Sequence, residues 1–351
     1  MDVSRYIKHP LFLILFFFFI APVAVIPLGG MSLAIEVMIW AVFAMGFNIL
    51  LGYTGLPSFG HGLFFGCGAY LFGLFQHHVI KGVWIPLAGS ILGCVIIAAL
   101  LAIFMAKKRG IYHALLTIAF TQMFFFIAFQ WDAVTGGENG LMGIERYPLS
   151  FFGLFNIGIE SSLSLYYFVF AILAVSIIML WKLIHSPLGT VFYAIKQNEL
   201  RAKYLGYNTP FFKWLSWIIS GAFGGLAGAL HALLTHGAFA DPIHWSRSGD
   251  VVMMVIIGGG LTNFFGPVLG AIIFIALRDI FSTITEHWYL FYGLLIVAII
   301  LFMPEGILGY LKVGKSGAPD SLKGDSLQGD SLKEDSSKEL KPASLELRGV
   351  E

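Results

Sequence analysis

Charge is scarce in this chain. Only 12% of its 351 residues are Asp, Glu, Lys or Arg, about half the share of a soluble globular domain. A soluble protein of this size needs far more polar surface to cover its core. The formal net charge is +1 and no basic domain stands out, which argues against nucleic acid as a partner. Cysteine is nearly absent too. Cys67 and Cys94 both fall in apolar segments and read as buried free thiols. There is no His-Glu-x-x-His, no cysteine pair at metal spacing, no Walker Gly-x-x-x-x-Gly-Lys-Ser/Thr and no Gly-x-Ser-x-Gly. A membrane enzyme therefore lacks its paired catalytic groups, and a pump lacks the means to fuel itself.

What is present is apolar: 58% of the residues, with 34 phenylalanines. Runs of 18 or more mostly apolar residues recur, the pattern of bilayer-crossing helices. They are continuous rather than alternating, which argues against a β-barrel. The expected fold is an all-α polytopic membrane protein of about ten segments, placed at 10–28, 31–51, 60–79, 84–106, 112–131, 163–184, 214–234, 250–260, 265–284 and 288–308. The N-terminus has the basic start of a signal peptide. Another apolar run follows it, so it reads as a retained first span.

The basic residues orient these segments. Arg5 and Lys8, then Lys107, Lys108 and Arg109, then Lys182, Lys196, Arg201, Lys203 and Lys213, then Lys312 and Lys315 form four groups. The positive-inside rule puts all four, and both termini, in the cytoplasm. The even count requires 250–260 to cross. At about eleven residues it is too short for a straight helix through a core of about 30 Å, so it reads as a crossing lined by protein or half of a re-entrant pair. The transmembrane domain is expected over 1–311, with an outer loop at 132–162. The tail, 312–351, carries a five-residue Asp-Ser-Leu-Lys-Gly-like repeat with no aromatic residue. It reads as a disordered solvating tail, or as a helix formed only on a partner.

The polar stretch 186–213, SPLGTVFYAIKQNELRAKYLGYNTPFFK, interrupts the apolar pattern. A short charged helix-former between spans is a surface for something in the aqueous phase to grip. Glycine-rich breaks lie at 51–62 and 258–270. Irregular backbone at membrane depth is tolerated where it is buried in protein or lines a cavity, and broken helices often form a transporter's solute site. Candidates for a translocation path are Tyr53, Thr54, Gly55, Ser58, His61, Gly259, Gly260 and Thr262. Gly66, Gly68, Gly73, Gly221, Gly224, Gly225 and Gly228 read as packing glycines. Glu36 and Asn48 sit inside the second segment, where a polar side chain needs a partner and an ionisable one is a functional suspect. In the outer loop, Gly136, Gly137, Glu138, Asn139 and Gly140 read as turns with close backbone approach, not a helix. The stretch 236–249 reads as an outer loop partly folded against the membrane, with Trp245 at the interface.

Several of these stretches, in order, resemble the LivM-type permease family, the inner-membrane subunits of bacterial ABC importers for branched-chain amino acids. They are Gly52-Tyr-Thr-Gly55, Ser58-Phe-Gly-His61, Gly136-Gly-Glu-Asn-Gly-Leu-Met-Gly143, Ser186-Pro-Leu-Gly189, Ala194-Ile-Lys-Gln-Asn-Glu-Leu-Arg-Ala202, Leu205-Gly-Tyr207, Ser220 to Ala229, Gly266-Pro-Val-Leu-Gly270 and Pro304-Glu-Gly-Ile307. Leu56 and Pro57 stand where that pattern has Gln-Leu. The resemblance implies a multi-pass protein of the bacterial inner membrane. It also implies a LivH-type sister permease, two ABC ATPase subunits and a periplasmic amino acid-binding protein as partners. No cofactor is expected in this chain, with ATP and Mg bound by the partner ATPases. Asn198, Glu199, Leu200, Arg201, Ala202, Leu205 and Gly206 match the motif that couples such a permease to its ATPase; Leu200, Tyr204 and Leu205 would supply contact, and Glu199 and Arg201 would fix register. The implied cargo is leucine, isoleucine or valine. Urea or short amides, carried by related importers, remain the alternative. An ion-coupled transporter acting alone is opposed by the island and by the lack of repeated intramembrane acids.

Overall fold

The computed structural model describes residues 30–106, 108, 110–151, 155–259, 261, 263–284, 286–303 and 306–308. The first expected segment at 10–28, the tail at 312–351, and Gly260, Thr262, Lys107 and Arg109 lie outside the described residues.

Each expected segment from residue 31 onward falls on a helix. These are α1 (Met31–Asn48), α2 (Gly62–His78), α3 (Trp84–Met105), α4 (Gly110–Gln130), α6 (Ser162–Ile184), α9 (Thr209–Thr235), α10 (Trp245–Gly258), α11 (Gly266–Ile284) and α12 (Trp288–Phe302). Between them lie the single turn α5 (Asp132–Thr135) and the two island helices, α7 (Pro187–Gln197) and α8 (Glu199–Tyr204). Among the described residues six helices are long and apolar enough to cross a membrane: α1 with its continuation to Tyr53, α3, α4, α6, α9 and α11.

The helix at the centre is α1. In its most apolar stretch 83% of residues are buried, against 22% in α4. Apolar residues on every side of α1 therefore meet protein, whereas most of α4 presents Ile111, Leu115, Phe126 and similar side chains outward, as a helix facing lipid does.

Close approach between α2 and α9 depends on small residues. A Cβ on Gly68 would stand within 3 Å of the backbone of Gly225, so the two helices touch main chain to main chain. Ser90 of α3 ties the contact, its hydroxyl donating to Gly68 O at 2.8 Å and to Gly225 O at 3.2 Å. This is the small-residue packing of helices that have no hydrophobic drive to associate within lipid. Cys67 and Cys94 are buried free thiols in the same region.

Four short strands pair outside the helices. β1 (Leu141–Met142) pairs antiparallel with β4 (Gly237–Ala238), Leu141 opposite Ala238. β2 (Leu149–Phe151) pairs antiparallel with β3 (Phe155–Ile157). The first pair brings the loop after α4 against the loop after α9. Gln76 of α2 holds the same loop, accepting from Glu145 N at 3.0 Å and donating to Glu145 O at 2.9 Å. Arg146 donates to the terminal carbonyls of α9, Leu233 O at 2.9 Å and Leu234 O at 3.1 Å, a cation at the negative end of a helix. Partial burial lowers its pKa from the usual guanidinium value.

Several boundaries differ from the sequence reading. Helix α9 begins at Thr209, five residues ahead of the expected 214 and inside the polar stretch 186–213. The stretch 135–143 is not wholly irregular, since a 3₁₀ turn covers Gly137–Asn139 and β1 follows. Helix α10 begins at Trp245, inside what reads as loop. At 14 residues it is about 21 Å long at 1.5 Å per residue, still short of a hydrocarbon core of about 30 Å. Its first turn carries Ser246, Arg247 and Ser248, of which Ser248 faces protein: it is fully buried, and its hydroxyl accepts from Gly62 N at 2.8 Å.

Candidate functional site

The island is two helices with a hinge residue between them. Ser186 and Pro187 start α7, proline at the first turn where its missing N–H costs nothing. Asn198 ends it in extended geometry (φ −159°, ψ 103°) and at once caps α8, Oδ1 accepting from Arg201 N at 3.0 Å. Gly206 closes α8 at φ +91°. Tyr207 N donates to Ala202 O at 3.2 Å and Gly206 N to Lys203 O at 3.0 Å, the hydrogen-bond pattern of a glycine C-cap.

Ala202 turns inward and packs with Val191, Ile195 and Phe212. Glu199 also turns inward. Its carboxylate accepts from Lys213 Nζ at 3.0 Å and from Thr209 Oγ1 at 3.2 Å. Lys213 is only 1% exposed and also donates to Ala106 O, at 3.2 Å, at the end of α3. Charge at Glu199 thus fastens α8 to the foot of α9. The side chains of α8 and its cap that face away from the protein are Leu200, Arg201, Lys203, Tyr204 and Leu205, with Tyr204 86% and Leu205 76% exposed.

Lys196 of α7 reaches the other way. Its ammonium donates to Gly52 O at 2.7 Å and to Leu261 O at 3.0 Å, one carbonyl from each glycine-rich break. Partial burial lowers its pKa. The first break is a π-helical turn, Ile49–Tyr53, that ends α1; such turns recur at functional sites. Gly55 follows at φ +74°, and a Cβ there would stand 3.0 Å from Lys196 Cγ. Gly259 takes the left-handed conformation that stops α10.

The candidate path residues therefore divide. Gly55 is exposed beside the island and Tyr53 is half-buried. Thr54, Ser58 and His61 are buried in the packed interior. Thr54 Oγ1 donates to Ile49 O at 2.9 Å. His61 lies between two hydroxyls, Nε2 2.6 Å from Ser220 Oγ and Nδ1 3.2 Å from Ser58 Oγ, with Phe47, Phe64 and Trp217 against its ring. Asn48 is buried, and its Oδ1 accepts no hydrogen bond among the described residues.

At the opposite end of α1 lies a group of charges that the sequence shows only singly. Arg278 of α11 donates through Nη2 to both oxygens of Glu36, at 2.8 and 2.9 Å, and Trp40 Nε1 stands 3.3 Å from Glu36 Oε1. Arg247 of α10 pairs with Asp241 at 2.6 Å and Asp250 at 3.4 Å. Both arginines line a cavity of about 210 Å³, with Glu36, His231, Trp40, Phe65 and Phe239 among its other walls. Phe239 and Asp241 also line an adjoining cleft of about 460 Å³ whose rim includes Glu138. Gly140 sits against Phe239 and the backbone of Ala238, with Gly136 and Gly137 forming the turns before it. Glu138 is exposed at that rim and Asn139 is exposed next to it in the chain. Glu36 was visible as an acid inside an apolar run and 236–249 as a polar loop, but their meeting is a tertiary fact: Glu36 and Arg278 are 242 positions apart.

Comparison with known proteins fits this arrangement. Residues 31–300 match the family model described as the branched-chain amino acid transport system permease component. LivM of Escherichia coli, a high-affinity branched-chain amino acid transport system permease protein, is 27% identical over 300 residues, covering 80% of this chain and 70% of the relative. A probable LivM of Methanocaldococcus jannaschii is 22% identical over 320 residues, 77% of this chain and 90% of the relative. LivH of Salmonella typhimurium is 23% identical over 297 residues, 79% and 93% respectively. No solved structure matches. The all-α polytopic fold and the match over most of the chain place it in one family: this chain belongs to the permease components of branched-chain amino acid transport systems.

Proposed function

We propose that this chain is the permease subunit of an ATP-driven importer of branched-chain amino acids, driven by separate ATPase subunits that grip α8. The observation that carries the reading is the orientation of that helix. Glu199 and Lys213 lock it to the foot of α9, while Leu200, Tyr204 and Leu205 are left exposed. Apolar side chains on a rigidly held polar loop suit insertion into a partner's groove. The relatives named LivM and LivH support the transport class and the cargo, and the likeness to both supports pairing with a sister permease.

In this reading the island and both termini are cytoplasmic and the loop with Glu138 is periplasmic, where a binding protein would deliver solute. The membrane is the bacterial inner membrane. No covalent chemistry on the solute is required, and ATP and Mg belong to the partner subunits. Lys196 supplies a link from the gripped island to both glycine-rich breaks, so motion imposed on α7 and α8 reaches α1 and the end of α10.

The test is uptake by proteoliposomes holding the permease pair, the ATPases and the binding protein. Labelled leucine should accumulate only with ATP. ATP-independent leucine uptake contradicts the mechanism; ATP-driven accumulation of urea and not leucine contradicts the cargo.

A further inference from the structure

The charged cavity beside Glu36 has no part in coupling to an ATPase. Five ionisable side chains (Glu36, Asp241, Arg247, Asp250 and Arg278) gather at and around it beside an otherwise apolar bundle. An acid inside an apolar span, as Glu36 is in α1, is costly and is found where solutes or ions pass. A plain structural staple would satisfy its groups internally, but two lining groups are left over. Arg278 bonds Glu36 through Nη2 alone, so its Nη1 and Nε meet no acceptor among the described residues. The ring nitrogens of His231 likewise make no hydrogen bond among the described residues, and His231 lines the cavity with its ring 5.1 Å from that of Phe65. Donors for a carboxylate thus stand next to carboxylates that can take an ammonium, across a wall of Trp40, Phe65 and Phe239.

We propose that this cavity is a binding site for a free zwitterionic amino acid with an aliphatic side chain. Its α-carboxylate is taken by Arg278 and Arg247, its ammonium by Glu36 and Asp241, and its side chain by the three aromatic rings. The inference rests on the import reading for its route but not for its chemistry. A volume near 210 Å³ is below the roughly 300–1,000 Å³ of drug-sized sites and limits the occupant to a small molecule. A neutral zwitterion adds no net charge to a site whose own charges already nearly balance, so it can exchange for water without leaving an ion unpaired. The adjoining cleft, sharing Phe239 and Asp241 with the cavity and rimmed by Glu138, is the entrance. The glycines around Phe239 let the loop backbone close over that ring.

The experiment is equilibrium binding to the assembled complex in lipid nanodiscs, without binding protein and without ATP. The probes are labelled L-leucine and, as competitors, 4-methylpentanoate, which lacks the ammonium, and 3-methylbutylamine, which lacks the carboxylate. Saturable leucine binding is expected, with each half-charged analogue weaker by at least roughly tenfold, about 1.4 kcal/mol. The double variant Glu36→Gln with Arg278→Gln keeps a hydrogen-bonding pair between α1 and α11 and should fold. It should lose leucine binding while its melting temperature stays near that of the wild type. Arg247→Gln provides a second variant away from that pair and should weaken leucine and 4-methylpentanoate but not the amine. Equal binding of all three probes, wild-type affinity in the double variant, or no saturable binding overturns the site. ATP-driven leucine uptake in the same preparation separates the two claims, since uptake that persists with any of those results removes the site and leaves the import reading standing.

Discussion

The ammonium of Lys196 lies 2.7 Å from the carbonyl oxygen of Gly52, joining the island to the π-helical end of the most deeply buried helix. Residues 144 positions apart are connected by one side chain, which also holds Leu261 O at 3.0 Å. A carbonyl freed by a broken helix needs a donor, and here both breaks share the same one.

Lys196→Met should therefore uncouple the complex. The variant keeps the aliphatic stem and loses both charge-assisted bonds, each about 1.5–3 kcal/mol. Leucine transported per ATP hydrolysed should fall at least severalfold while membrane insertion is unchanged. An unaltered transport-to-hydrolysis ratio refutes the link.

Gly55→Val should block transport at normal expression. The backbone there has φ +74°, which costs a residue with a side chain about 1–2 kcal/mol, and the new Cβ would press on Lys196 Cγ at 3.0 Å. Wild-type uptake by the variant would show that this contact has no part in the transport cycle.

Glu199→Lys acts by a route the sequence did not show. The island's charge pattern reads as a register for a docking partner, and only the fold reveals that Glu199 points inward to Lys213. Reversal places two ammonium groups together where one is 1% exposed. Breaking such a buried pair costs about 3–5 kcal/mol, less here because the Glu199 side chain is 16% exposed. ATPase coupling should drop together with thermal stability of the island, read by proteolysis of the 186–213 loop. Pairing Glu199→Gln with Lys213→Met should restore most of that stability. Loss of coupling with a protease-resistant loop contradicts this explanation.

Removing the Gln76 latch tests the outer loop. Gln76→Leu leaves the backbone N–H and C=O of Glu145 without their partner, a loss of about 1–3 kcal/mol. Hydrogen exchange at Glu145 and along β1 should rise, with no effect at the island. Unchanged exchange would show that the β1–β4 pair and Arg146 hold the loop without Gln76.

Helices that meet lipid or bury an all-apolar surface were legible in the sequence, because length and hydropathy decide them. Segments at 84–106 and 163–184 match α3 and α6 within a residue or two. The start of α10 was not legible. Ser246, Arg247 and Ser248 look like a loop, since the polarity of Arg247 and Ser248 is explained only by Asp241 and the cavity beside Arg247 and by Gly62 N–H on Ser248. The island was legible as a docking surface from its charge, yet its acid, Glu199, turns inward and the outward residues mix Leu200, Tyr204 and Leu205 with Arg201 and Lys203. Which side of α8 faces outward depends on a pairing with Lys213 of the next helix. The charged cavity was legible only as one suspect acid, because its partners come from helices far apart in the chain.

The most direct test of the account is the affinity of the permease for its ATPase subunits when Leu205 and Tyr204 are changed to Asp. Both side chains point away from the protein, so the melting temperature of the permease alone should be unchanged. Dissociation of the ATPases, with leucine uptake lost in parallel, is the predicted result. A complex that assembles and transports leucine at the wild-type rate would contradict the claim that α8 is where this permease is driven.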